Sequence, residues 1–377
     1  MKIAILTHPY IRNYGGILQC VALQNTLERK GHKVEVIHFL SGRKHNLRRR
    51  IKLLLNDFSF QRFYKWFLGI CSDFSGKLIG RQKNVSSALL ENCARFIKEN
   101  IHYTEICDED TIGRLIEQRQ YDAIVIGSDI VWVGLGNERL IYFGDWQPKY
   151  TGKLISYAAC STLSHVPKFN EAKLEKLLDD FSHISVRDKH TFNLIRGYTH
   201  KDIQIVADPT ILYDFGHYLK PCEGEDYIFT YVLGQEIDGG HRKAIAAMKK
   251  RYGNIPVKAV VLSDESTNIV PYADEIVDDA SPDVWLNLLA HSKAVYTDSF
   301  HGIIFSLKYH RPFIAYYKEA SRSTRLIDLK ERFGLKGNIV SSVGEIDLSG
   351  DICYDKLQPV MDMWKDESLN FLKNALI

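Results

Sequence analysis

The 377-residue chain has no run approaching the ~18 consecutive apolar residues of a membrane-spanning helix, so a membrane span is not expected. Cysteine is sparse: Cys20, Cys71, Cys93, Cys107, Cys160, Cys222 and Cys353 are scattered, odd in number and never spaced C-x-x-C. That pattern argues against a disulfide framework and against a zinc site, and no other metal-ligand cluster is visible. Repeated or low-complexity segments are absent, as are the G-x-G-x-x-G and G-x-x-x-x-G-K-[ST] signatures, which removes support for a dinucleotide fold or a P-loop. No recognised nucleic-acid module occurs, so nucleic acid is not an expected partner. Met1 to His8 lacks a small-residue cleavage pattern and reads as a buried strand rather than a signal peptide, which makes the cytoplasm the expected compartment.

What is present is the composition of a folded protein, 45% hydrophobic and 25% charged, with a length that suggests two domains. The formal charge of +3 conceals an asymmetry. From Gly42 to Lys83 eleven basic residues face only Asp57 and Asp73, amid Ile51, Leu54, Leu55, Phe58, Phe63, Trp66, Phe67 and Ile70 near helical spacing. Such a basic, aromatic segment suits an anionic membrane surface or a lipid-linked phosphate; a packed helical insertion with a charged outer face is the plainer alternative.

Along the chain, strand-like Lys2–Thr7, a helical Ile17–Lys30 ending at Gly31, and strand-like Lys33–Phe39 predict a βαβ unit. After a basic helical insertion spanning about 42–110, short β-rich runs return at Tyr121–Ile126, Lys153–Ala158, His183–Val186 and Ile203–Ala207, each ending in a polar turn. A linker-like stretch near 212–226 leads into a second series, with strands at Tyr227–Leu233, Pro256–Leu262, Glu275–Val277, Ala294–Thr297 and Phe313–Tyr316. The expectation is an α/β protein of two Rossmann-like, doubly wound domains facing a cleft: residues 1–215, residues 216–345, and a helix in 346–377 packing back on the first domain. Ligands of parallel sheets bind beyond the carboxyl ends of the strands, so the polar turns there are the candidate site.

Several turns carry suitable chemistry. Asn13-Tyr14-Gly15-Gly16 enters a helix whose free N–H groups favour an anion or an acceptor hydroxyl, unless the glycines merely turn the chain. Gly127-Ser128-Asp129 sets a carboxylate at a strand tip, where a helix-capping Asp would look the same. Arg187 could grip a carboxylate or phosphate, or pair with its neighbour Asp188. In Thr297-Asp298-Ser299-Phe300-His301-Gly302, Asp298 or Ser299 can cap the helix, but capping leaves His301 unexplained; a histidine in a first helical turn gains most from a nearby anion. Arg322 and Arg325 also sit at a helix start, against the dipole, as a ligand clamp or as solvated surface residues.

Taken in order, "NYGGILQCVALQNTLERKGHKVEV", "YDAIVIGSDIVW", "KLISYAACS", "ISVRDKHT", "VADPTIL" and "TDSFHGIIFSLKYHRPFIAY" resemble the polysaccharide pyruvyl transferase family, over about residues 10 to 317. Cys160 and Cys20 stand where small residues would be expected, and Ile130 where Gln or Glu is more usual. The resemblance implies a GT-B-like pair of domains, 1–215 on the acceptor side and 216–345 on the donor side, and transfer of the enolpyruvyl-derived group of phosphoenolpyruvate to two hydroxyls of a sugar, forming a pyruvate ketal. The donor is a substrate and no cofactor is implied. His301, with Ser299, Gly302, Arg187, Arg322 and Arg325, is then expected on the donor; Asn13, Tyr14, Gly15, Gly16, Ser128 and Asp129 on the acceptor, Asp129 being the candidate base. The basic segment 43–83 suggests a lipid-diphosphate-linked sugar acceptor and peripheral contact at the inner membrane face. The rival readings are a GT-B nucleotide-sugar glycosyltransferase, whose usual glutamates eight residues apart do not occur from Tyr218 to Gly350, and a non-catalytic sugar-binding protein.

Overall fold

A computed structural model describes residues 1–8, 12–42, 86–221, 224–234, 236–262, 270–318 and 320–377, the side chains of 320–322 excepted. The basic segment 43–83 lies outside the described residues.

The first domain is built on a seven-stranded parallel sheet of order β3-β2-β1-β4-β5-β6-β7. Its strands are β1 (Lys2–Leu6), β2 (Lys33–Phe39), β3 (Tyr103–Cys107), β4 (Ala123–Ile126), β5 (Lys153–Ala159), β6 (Phe181–Val186) and β7 (Ile203–Ile205). Ala-Ile-Val-Ile in β4 is buried throughout, as expected of a central strand covered by helices on both faces. Helices α1 (Tyr14–Glu28), α2 (Ser87–Asn100), α3 (Ile112–Arg119), α4 (Lys168–Leu178), α5 (Lys189–Ile195) and α6 (Pro209–Leu212) make the connections. The second domain has a six-stranded parallel sheet of order β10-β9-β8-β11-β12-β13. It comprises β8 (Ile228–Tyr231), β9 (Val257–Val260), β10 (Glu275–Val277), β11 (Ala294–Thr297), β12 (Phe313–Tyr316) and β13 (Ile339–Val340), with α7 (His241–Tyr252), α8 (Pro282–Ala290), α9 (Phe300–Lys308), α10 (Ala320–Phe333) and the long α11 (Tyr354–Leu376).

Two expectations change. The insertion does not run to residue 110: α2 and β3 belong to the first domain, because β3 pairs with β2 in parallel. As an edge strand, Tyr-Thr-Glu-Ile-Cys is covered on one side only, with Ile106 exposed, and therefore lacks the apolar run of a central strand. Helix α1 starts at Tyr14, with Asn13 as its N-cap accepting from the Gly16 N–H at 3.1 Å, so Gly15 and Gly16 are helical rather than a loop.

Each sheet reverses strand order once, between β1 and β4 and between β8 and β11, and leaves a crevice at its carboxyl edge. The two crevices meet. One apolar cluster runs through both domains, including Ile17, Trp285, Phe305 and Phe371. Tyr14 acts as a strut within it: fully buried, it stacks on Trp285 and donates its hydroxyl to the Ala280 carbonyl at 3.0 Å. Helix α11 spans the join, touching α6 and β5 and accepting the Ala207 N–H on Ser368 Oγ at 2.8 Å.

Candidate active site

Four strand ends of the first domain converge on one guanidinium. The chain leaves β4 through Gly127-Ser128-Asp129, with Gly127 at φ 120° and Asp129 at φ 74°, a path that turns the Asp129 carboxylate inward toward β6. Its backbone is locked there by the Cys160 N–H, which donates to the Asp129 carbonyl at 2.9 Å. At the end of β6, Arg187 donates to Asp129 Oδ1 at 2.8 Å, to Asp208 Oδ2 at 2.7 Å and to Cys160 Sγ at 3.0 Å. Its planar head lies over the Phe300 ring of the second domain, 4.6 Å from the centroid. Asp208, beyond β7, caps α6 through Thr210 and lies 3.4 Å from Ser128 Oγ, whose proton goes to the Ala158 carbonyl at 3.0 Å.

The second domain contributes the start of α9. Ser299 is the cap, accepting from the Gly302 N–H at 3.4 Å. Asp298 instead accepts from the N–H groups of Leu233 and Gly234 at 2.7 and 2.6 Å, holding the loop after β8 beside the helix. This division frees His301, which projects back onto the first domain with Nε2 3.6 Å from Asp208 Oδ2. That separation exceeds a hydrogen bond, and Nε2 is buried with no hydrogen-bond partner. On its other side the imidazole fills the space above Gly15, where an added Cβ would overlap the ring.

Burial by itself would raise the carboxylate pKa values. Arg187, His301 and Arg325 nevertheless hold Asp129 below the ordinary value, and His301 and Arg187 hold Asp208 well below it. Both are anions at neutral pH. Burial pushes the Cys160 thiol up to about 12, so it is not a thiolate nucleophile. His8, bonded to the Ile130 carbonyl and to Tyr142 Oη at 3.0 Å each, has its pKa lowered chiefly by burial and is neutral. Beside the cluster a pocket of about 360 Å³ opens between α5, α10 and α11, lined by Arg187, Asp188, Lys189, Phe300, Arg325 and Trp364 among others. Arg325 is nearly buried, and its Nε has no hydrogen-bond partner.

The structure therefore brings Asp129, Arg187, Ser299, His301, Gly302 and Arg325 together, with Gly15 against His301. It does not separate donor from acceptor residues as expected. Arg187 pairs with Asp129 and Asp208 rather than with Asp188, which caps α5 through the Thr191 N–H. Asp129 is a weak candidate base, since its carboxylate is buried and already bonded to a guanidinium. Tyr14 and Ser128 are fully buried and hydrogen-bonded to protein carbonyls, so neither presents a group to an acceptor. Asn13 spends its side chain on capping α1, and Gly16 is buried in that helix. Arg322 falls in the first turn of α10, and its side chain lies outside the described residues. Asp208 was missed as a site residue; its signal was Asp-Pro directly after a β-rich run, a polar residue at a carboxyl strand end. Among the described residues, no group of three or more His, Cys, Asp and Glu side chains is arranged to hold a metal ion.

Two parallel α/β domains meeting at their carboxyl edges define a GT-B-like enzyme fold. UDP-GlcNAc 2-epimerase from Methanocaldococcus jannaschii superposes with a TM-score of 0.51 at 11% identity, over 97% of this chain and 93% of that one. The glycosyltransferase SnogD from Streptomyces nogalater gives 0.45 at 13% identity, over 98% of this chain and 95% of that one. At 11% identity the likeness to the epimerase is one of fold alone, and no match was found among curated protein sequences. The sequence model of the polysaccharide pyruvyl transferase family matches residues 13–317, and the chain belongs to that family.

Proposed function

We propose that the protein transfers the enolpyruvyl-derived group of phosphoenolpyruvate onto two hydroxyls of a sugar during surface polysaccharide synthesis, closing a pyruvate ketal and releasing phosphate. The observation that carries this reading is the buried His301 Nε2, free of hydrogen bonds and 3.6 Å from Asp208 where the two domains meet. An imidazolium at this position, facing the Asp208 carboxylate, gives its proton to the methylene carbon, producing the methyl group and an oxocarbenium-like centre at C2. The first sugar hydroxyl attacks C2 and passes its proton to the now neutral His301. The second hydroxyl then displaces phosphate, which carries the second proton away. Arg325, at the edge of the pocket, is assigned to the donor's anionic groups, and Arg187 to holding Asp129, Asp208 and Phe300 in register. We assign the acceptor to a lipid-linked sugar, with segment 43–83 meeting the anionic membrane surface, on the charge of that segment alone.

Incubation with phosphoenolpyruvate and candidate sugars tests the reading: phosphate release together with a new ketal methyl signal by NMR is expected. Absence of both with every acceptor, alongside turnover of a nucleotide sugar, would replace it with the glycosyltransferase reading. His301→Ala should lower turnover at least roughly tenfold, since a lost acid-base group typically costs ~10²-fold; an unchanged rate removes His301 from the chemistry.

A further inference from the structure

Helix α9 presents two polar side chains to the first domain. His301 and Lys308 are seven residues apart, which at 3.6 residues per turn places them on one face about two turns from each other. That face packs on α6. At the start of α6, His301 approaches Asp208, the helix cap. At its end, Lys308 Nζ donates to the carbonyls of Tyr213 at 2.5 Å, Thr210 at 3.0 Å and Ile211 at 3.4 Å, and sits 5.7 Å from the Phe215 ring centroid. The second domain thus holds this short helix at both ends.

The tie is costly for a structural contact. Burial lowers the Lys308 pKa to about 8; Lys365 adds to that shift and Asp214 opposes it. Its hydrogen-bond partners are carbonyls, which compensate a buried ammonium less than a carboxylate would. What three convergent acceptors do provide is a fixed position of α9 along α6. Sliding α9 by one residue would move its side chains ~1.5 Å along the axis, enough to break these bonds and to separate His301 from Asp208.

We propose that Lys308 is a positioning residue: by gripping the carbonyl end of α6 it sets His301 against Asp208 across the domain join. Its consequence for turnover rests on the pyruvyl-transfer reading, whereas its structural content does not. The test is a histidine-selective NMR titration of the full chain, with the His301 signal assigned by its loss in His301→Asn. In Lys308→Met the His301 titration midpoint should move in the same direction as in Asp208→Asn, and Lys308→Arg should bring it at least part of the way back to the wild-type position. If Lys308→Met does not fold, Lys308→Gln is read in the same way. In the turnover assay Lys308→Met should lower kcat by roughly tenfold while KM for phosphoenolpyruvate changes by less than about threefold. A folded Lys308→Met or Lys308→Gln protein whose His301 titrates as in wild type overturns the proposal, whatever its activity. A shifted titration in a protein that never consumes phosphoenolpyruvate upholds the positioning role and removes the reaction assigned to the site.

Discussion

Gly15 has no side chain, and the His301 imidazole occupies the space that one would fill. Gly15→Ala therefore cannot be a neutral change: the ring or the helix must shift, at a cost of about 1–3 kcal/mol in stability. Turnover should fall at least as far as folding suffers, because the displaced group is the proposed acid. Denaturant unfolding and phosphate-release rates measured on one preparation check both effects. Asp208 makes a separate prediction. Its folded pKa lies below the unfolded value of ~3.9, so the unfolded chain binds more protons as the pH falls past that point. The stabilisation it supplies is complete above the unfolded pKa and is lost as pH falls through the folded one. Unfolding free energy followed from pH 6 downward should decline on the acid side, with a shallower slope in Asp208→Asn; equal slopes would mean that the Asp208 carboxyl binds its proton equally well in the folded and unfolded chain.

At the scale of elements, the site is a set of helix starts and strand ends held together by a few long-range hydrogen bonds. Helix α11 illustrates the point, since Ser368 gives the Ala207 N–H its acceptor one residue before Asp208. Ser368→Ala leaves that buried N–H unpaired, at a cost of about 1–3 kcal/mol. Chemical denaturation should show the loss, and hydrogen exchange at Ala207 should accelerate more than exchange in β4. Equal protection at Ala207 in the variant would show that another group has taken over as acceptor. Lys308 works on the same scale from the opposite side, at the other end of α6.

For the molecule as a whole, the two domains share an apolar cluster, and Tyr14 and α11 cross between them. Charge is distributed much less evenly. Residues 43–83 hold a large basic excess in a chain of formal charge +3. Deleting 43–83 should abolish retention on vesicles containing anionic lipid at moderate salt, while circular dichroism of the remainder keeps its α/β signature. Retention unchanged by the deletion would locate membrane contact elsewhere, and no retention of the intact chain would remove membrane contact altogether.

Local rules made much of this protein readable in advance. Alternating apolar runs and helix-forming stretches, punctuated by Gly31 and by the polar turns, depend on contacts within a few residues, and they specified two parallel α/β domains with polar turns at the strand ends. The same rules passed over β3 and the two-residue β13, whose places come from the strands beside them. His301 could be singled out because a histidine in a first helical turn needs a reason that neighbouring residues do not supply. That reason, Asp208, lies 93 positions earlier in the chain, and Arg187 meets partners 21 and 58 residues away instead of the carboxylate next to it. Only sheet order and domain packing bring such groups into contact. Tertiary structure therefore decided that Tyr14 is a strut, that Asp129 is an anchor, and that Asp208 joins His301 to the guanidinium of Arg187.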